Sequence, residues 1–73
     1  MKKLDQIIEE QRKDFMRDVA RLRNLEIPFT PIIRKTTWPP THRWRAKIQV
    51  GNYVASSAPA ISLEDAESLI GVQ

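Results

Sequence analysis

The first third of the chain places its apolar residues at the spacing of an α-helix. With each residue turning the chain by about 100°, seven apolar positions between residues 3 and 25 fall within an arc of about 120°. These positions are Leu4, Ile7, Ile8, Phe15, Val19, Leu22 and Leu25. Pro28 closes the stretch, because the residue before a proline avoids helical angles. The pattern predicts one long amphipathic helix within residues 1–26.

The polar side of this helix favours packing on a sheet over pairing with another helix. Glu9 and Lys13 are four residues apart, so acids and bases alternate as neighbours on the helix surface. In a coiled coil, Gln11 and Asp18 would occupy the apolar seam, which disfavours a helical dimer. We therefore expect a monomer.

Prolines divide the next segment, residues 27–42. Four of the five prolines of the chain lie here: Pro28, Pro31, Pro39 and Pro40. The stretch from Ile32 to Trp38 between them is short and rich in residues that favour strands. It predicts a first strand at a sheet edge.

Residues 43–58 show the clearest alternation in the sequence. The apolar set is Trp44, Ala46, Ile48 and Val50, and the intervening set is Arg43, Arg45, Lys47 and Gln49. A period of two predicts a strand with one buried and one basic face. Gly51-Asn52 is typical of a two-residue hairpin turn, so the next strand returns over residues 53–58. This turn would pair Val50 with Tyr53 and Ile48 with Ala55.

A short helix is predicted over residues 62–70. Ser62 is a suitable N-cap with Asp65 three residues later, and Gly71 stops the helix. Its inner stripe would be Leu63, Ala66, Leu69 and Ile70. The fold class is therefore α+β, a single α-β-β-β-α domain over residues 1–73. We expect a three-stranded antiparallel sheet with both helices on one face.

Charge is distributed unevenly along the chain. Residues 27–50 contain five cations and no acid: Arg34, Lys35, Arg43, Arg45 and Lys47. Residues 51–73 contain three acids and no base: Glu64, Asp65 and Glu67. Such separation of charge along the chain suggests a dedicated basic surface. This surface can bind phosphates or an acidic protein. We predict these five cations as the binding residues, and the row Lys13, Arg17 and Arg21 as the alternative.

Composition excludes most other classes of function. The chain has 73 residues, no cysteine and one histidine, His42. Thiol chemistry lacks its side chain, His42 has no carboxylate close in the sequence with which to hold a metal, and Ser56 or Ser57 could form a triad only with His42 nearby. We therefore expect no enzyme, no metal and no cofactor. The short apolar runs predict no membrane span, and the acidic start predicts a cytoplasmic protein. Of the two tryptophans, Trp44 is predicted in the core, whereas Trp38 fits either a buried position or an exposed anchor.

Several motifs make residues 27–70 resemble a double-stranded-RNA-binding domain. The matching pieces are Pro28-Phe29, the turn Pro39-Pro40-Thr41-His42, the strand end Val50-Gly51 and the helix start Ser62 to Ala66. That family opens its last helix with lysines that contact phosphates. The corresponding positions here are Leu63, Glu64, Asp65, Ala66 and Glu67. The resemblance thus implies the fold, while the carboxylates disfavour the family's usual mode of RNA binding.

A second resemblance rests on overall layout. Small, basic, cysteine-free chains with one mixed-charge helix and a compact sheet are similar to bacteriophage-encoded regulators of host RNA polymerase, such as the inhibitor and antiterminator of a Xanthomonas phage. This resemblance implies a protein partner, bacterial RNA polymerase, in the host cytoplasm. The alternative is a stand-alone RNA- or DNA-binding module.

Overall fold

The computed structural model describes residues 3–71 and has the predicted order of elements. Helix α1 spans Leu4–Asn24, strands β1, β2 and β3 span Thr30–Lys35, Trp44–Val50 and Tyr53–Ala60, and helix α2 spans Leu63–Ile70. The sheet is antiparallel with the order β1-β2-β3. The α+β prediction is therefore confirmed. Residues 1, 2, 72 and 73 of the predicted domain lie outside the described residues.

Helix α1 buries only the middle of its predicted apolar face. Ile8, Phe15 and Val19 are buried and Leu22 is half-buried. Leu4, Ile7 and Leu25 remain exposed, contrary to the prediction. The reason is the direction in which each side chain leaves the helix: the buried Ile8, Phe15 and Val19 centre on one line, and Ile7 and Leu25 lie about 100° around the axis from it. Leu4 belongs to the first turn of the helix.

The first strand begins and ends earlier than the proline pattern indicates. Its pairing starts with Thr30 opposite Gln49 and ends with Lys35 opposite Trp44. The predicted strand over residues 32–38 is thus shifted. Residues 36–43 instead form the loop between β1 and β2, closed by the Thr36 N–H donating to the Arg43 carbonyl at 2.6 Å. Within this loop the Trp38–Pro39 peptide is cis.

The hairpin between β2 and β3 contains an irregularity that alternation alone does not reveal. Val50 pairs with Tyr53, as predicted. The register then shifts between Ile48 and Gln49, so Ile48 pairs with Ser56 and the predicted Ala55 pairing is wrong. A β-bulge of this kind inserts one extra residue into one strand. Beyond the bulge β3 continues to Ala60, two residues past its predicted end.

Small residues bring the helices close to the sheet. The inward positions of β2 and β3 include Ala46, Ile48, Ala58 and Ala60, all fully buried. Phe15 and Val19 of α1 and Ala66, Leu69 and Ile70 of α2 pack in the same core. Leu63, predicted for the inner stripe, is 44% exposed because it occupies the first turn of α2. Trp44 packs half-buried against this core, as expected.

One ion pair joins the two helices. Arg12 of α1 donates to both carboxylate oxygens of Asp65 in α2, at 2.6 and 3.0 Å, and to the Pro59 carbonyl at 3.1 Å. Both side chains are only 18% exposed. The hydrogen bonds from Arg12 hold the pKa of Asp65 below its ordinary value, against the opposing effect of burial. Asp65 also accepts from the Ile61 N–H, while the Ser62 hydroxyl accepts from the Asp65 N–H and caps α2.

Candidate binding surface

Three of the five predicted cations share the sheet face that points away from the core. The register places Arg34 directly opposite Arg45, and Lys47 opposite Ile32. Arg45 and Lys47 alternate with the buried Ala46 and so point outward. We call Arg34, Arg45 and Lys47 the sheet-face cations. Adjacent strands thus present three positive charges on one surface.

The pairing of Arg34 with Arg45 is electrostatically unfavourable. Like charges directly opposite each other on antiparallel strands are destabilising. Within residues 3–71 none of the sheet-face cations forms an ion pair. The hydrogen-bond partner of Arg45 is neutral: its Nη1 donates to the Ser57 hydroxyl at 2.8 Å. In the described part of the chain, two cations therefore lie side by side without a counter-charge.

The surroundings of the sheet-face cations add polar and apolar groups but no carboxylate. By the same register, Gln49 pairs with Thr30 of β1 and with Val54 of β3. These three residues lie on the outward side of the sheet. Val54 is about half exposed and Ile32 is half-buried. Among the described strand residues there is no Asp or Glu. The face combines positive charge with two branched apolar side chains.

Lys35 lies on the other side of the sheet, and Arg43 lies in the loop before β2. Lys35 pairs with Trp44 and so lies on the opposite side of the sheet, its Nζ 6.0 Å from the centre of the Trp44 ring. Arg43 precedes β2 and its Nε donates to the Pro40 carbonyl at 3.3 Å. Arg43 lies one residue before the start of β2, so the prediction that it continues the outward row of that strand stays a prediction. We call Lys35 and Arg43 the loop cations.

The loop cations border a depression at the base of the β1–β2 loop. It has a volume of about 450 Å³ and is lined by Lys35, Thr36, Thr37 and Arg43. Trp38, the next residue along the chain, is 63% exposed. The sequence leaves open whether Trp38 is buried or exposed, and in the structure it is exposed. The two threonines were not singled out by the sequence, since only the loop's closure brings them beside the cations.

The alternative basic row on α1 is surrounded by acids. Arg17 pairs with Asp14 at 3.0 Å on the helix surface, and both side chains are well exposed. Arg21 borders a cavity that Asp18 also lines. Lys13 is exposed. Mixed charge of this kind makes α1 a weaker candidate than the sheet face for attracting an anionic partner.

Comparisons with known proteins identify no relative. No family model matches the chain, and no curated protein or solved structure matches it significantly. Neither helix within residues 3–71 combines the length and the hydropathy that a membrane crossing requires. Function must therefore be inferred from the surface itself.

Proposed function

We propose that this chain is a non-enzymatic transcription regulator that binds RNA polymerase through the sheet-face cations. The observation that supports the proposal is the unpaired juxtaposition of Arg34 and Arg45. A like-charge pair lowers the stability of the domain. A partner with negative charge on its surface would offset this repulsion in the complex. RNA polymerase is the partner implied by the resemblance of the chain to bacteriophage-encoded regulators of that enzyme.

An acidic protein surface suits this face better than a phosphate backbone does. Two branched apolar side chains, Ile32 and Val54, lie on the same face as the cations. Protein interfaces combine such apolar contacts with a charged, complementary rim. A phosphate backbone would use the cations and leave the apolar groups without a role. The regulator would act by covering or reshaping a site on the enzyme, without chemistry of its own.

The rival function is a stand-alone nucleic-acid-binding module. The absence of acids on the described strands favours it, because phosphates would be attracted to the same cations. The position of the acids in α2 opposes it. Glu64 is exposed in the first turn, where the double-stranded-RNA-binding family carries lysines, and it would repel phosphates.

Direct binding to purified polymerase tests the proposal. The tagged chain is immobilised and exposed to RNA polymerase from Xanthomonas at moderate and high salt, with in vitro transcription as a second readout. We expect retention of the enzyme at moderate salt and altered transcription. Failure to retain it at moderate salt would overturn the proposal. Binding to naked duplex, with a log–log salt slope of about −0.9 per phosphate contact, would favour the rival.

A further inference from the structure

The β1–β2 loop presents a group of side chains that the proposed sheet-face interface does not use. Its base carries the loop cations and two threonines around the depression described above. The indole of Trp38 follows directly in the chain and is mostly exposed. These residues lie at one end of the sheet, and Lys35 is on the side of the sheet opposite Arg34.

The loop is held in place by its own hydrogen bonds, so these side chains have a defined location. The Thr36 N–H donates to the Arg43 carbonyl, and the Thr36 hydroxyl donates to the Trp38 carbonyl at 3.2 Å. The His42 N–H donates to the Pro39 carbonyl at 3.0 Å, and Pro39 is buried. A large aromatic side chain is therefore left exposed by a loop that is otherwise tied to the domain.

The cavities that border the loop differ in the charge of their lining residues. The depression at its base contains two cations and no acid. A second cavity at this loop, lined by Thr41 and His42, also contains Asp5 and Glu9 of α1. An anionic ligand would thus approach the side bearing Lys35 and Arg43.

We infer that this loop binds a single-stranded nucleic acid, with a phosphate between the loop cations and a base stacked on Trp38. Proteins that bind single strands combine cations along the backbone with aromatic rings under the bases. The Arg43 Nε is engaged by the Pro40 carbonyl, which leaves its terminal nitrogens for a phosphate. An acidic peptide would also meet the cations but would leave the indole unused. This inference is independent of polymerase binding through the sheet face.

The test measures the affinity of the full chain for a short labelled oligo(dT) by fluorescence anisotropy. Trp38→Ala should weaken binding roughly 5- to 150-fold, the fold-change expected for one stacked base, and Trp38→Phe should retain most of the affinity. Lys35→Glu with Arg43→Glu should also weaken binding. Their replacement by Gln should reduce the log–log salt slope by about 1.4, which corresponds to two phosphate contacts.

A matched control separates this site from the sheet face. Arg34→Glu with Lys47→Glu changes the net charge by the same amount as the loop double variant but places both changes on the outer sheet face, away from the depression. We expect the control to retain far more oligo(dT) binding than the loop variant. Equal losses, no binding of the unaltered chain at low salt, or an affinity insensitive to Trp38→Ala would overturn the inference. Loss of polymerase binding alone in Trp38→Ala would make the loop a protein contact and overturn it too.

Discussion

At the scale of single residues, the like-charge pair on the outer face of the sheet distinguishes the candidate site from ordinary surface. Alternation in the sequence predicts that Arg45 and Lys47 point outward. It does not predict that Arg34 lies opposite Arg45, because that depends on where β1 starts. The strand starts at Thr30 and not at Ile32 because of its pairing with β2, and the positions of the prolines do not predict that pairing.

Replacing Arg34 with Glu should stabilise the domain while weakening partner binding. The substitution replaces a repulsive cross-strand pair with an attractive one. Loss of the repulsion and gain of the attraction should each raise the free energy of unfolding by roughly 0.2–1 kcal/mol. A rise in the urea midpoint is the expected result. Lys35→Glu is the control, since Lys35 faces Trp44 and should give no such rise. A midpoint lowered by Arg34→Glu would show that the pair is not repulsive in this environment.

A second residue-scale feature is the pair Arg12–Asp65, whose partners are far apart in the sequence. Ser62 and Asp65 are recognisable as a helix start from their spacing. The partnership of Asp65 with Arg12 depends on how α1 crosses α2, so the sequence assigned Asp65 to capping alone. In the structure the carboxylate serves both helices.

This pair predicts a loss of stability in acid. The folded-state pKa of Asp65 lies below its ordinary value of 3.8, so its contribution is fully present above that value and is lost as pH falls through the folded-state pKa. The free energy of unfolding of the unaltered chain should therefore fall more steeply as the pH drops below 3.8 than that of Asp65→Asn. Parallel pH profiles for the two proteins would contradict the assignment.

At the scale of elements, local signals located the helices and the hairpin turn but not the β-bulge. Ser62, Gly71 and Gly51-Asn52 mark their boundaries through backbone chemistry that acts within a few residues. The bulge lies in a stretch of small residues around Ala55, where hydrophobic alternation is weak. The extra residue is visible only in the pairing of β2 with β3, which no local pattern encodes.

The two glycines should differ in their response to substitution. Both have positive φ, +60° at Gly51 and +82° at Gly71, so alanine costs about 1–2 kcal/mol at either site. A Cβ at Gly51 meets nothing within 4 Å. At Gly71 it would overlap the guanidinium of Arg23, which donates to the Ile70 carbonyl at 2.6 Å.

Gly71→Ala should therefore destabilise the domain by roughly 0.5–1.5 kcal/mol more than Gly51→Ala does, through the disturbed Arg23 hydrogen bond. Denaturant unfolding of both variants measures the difference. Adding Arg23→Ala to each is the check. The difference between the two glycine variants should then disappear, and its persistence would place the cause elsewhere.

At the scale of the whole molecule, the fold separates charges that the sequence lists together. The five cations of residues 27–50 form one block in the sequence. The structure divides them between the outer sheet face and the β1–β2 loop. Charge counting thus predicts that the chain has a basic surface. That the cations form two groups follows only from the pairing register of β1 with β2. The proposed function assigns a protein partner to the first group.

The most direct test of the central proposal is polymerase binding by the variant Arg34→Glu, Arg45→Glu, Lys47→Glu. This triple change reverses the sheet-face charge but keeps a like-charge pair between positions 34 and 45, so the domain should unfold cooperatively at a similar denaturant midpoint. Loss of binding by the triple variant is predicted, with binding retained by Lys35→Glu, Arg43→Glu. A folded triple variant that binds polymerase at the strength of the unaltered chain would contradict the proposal.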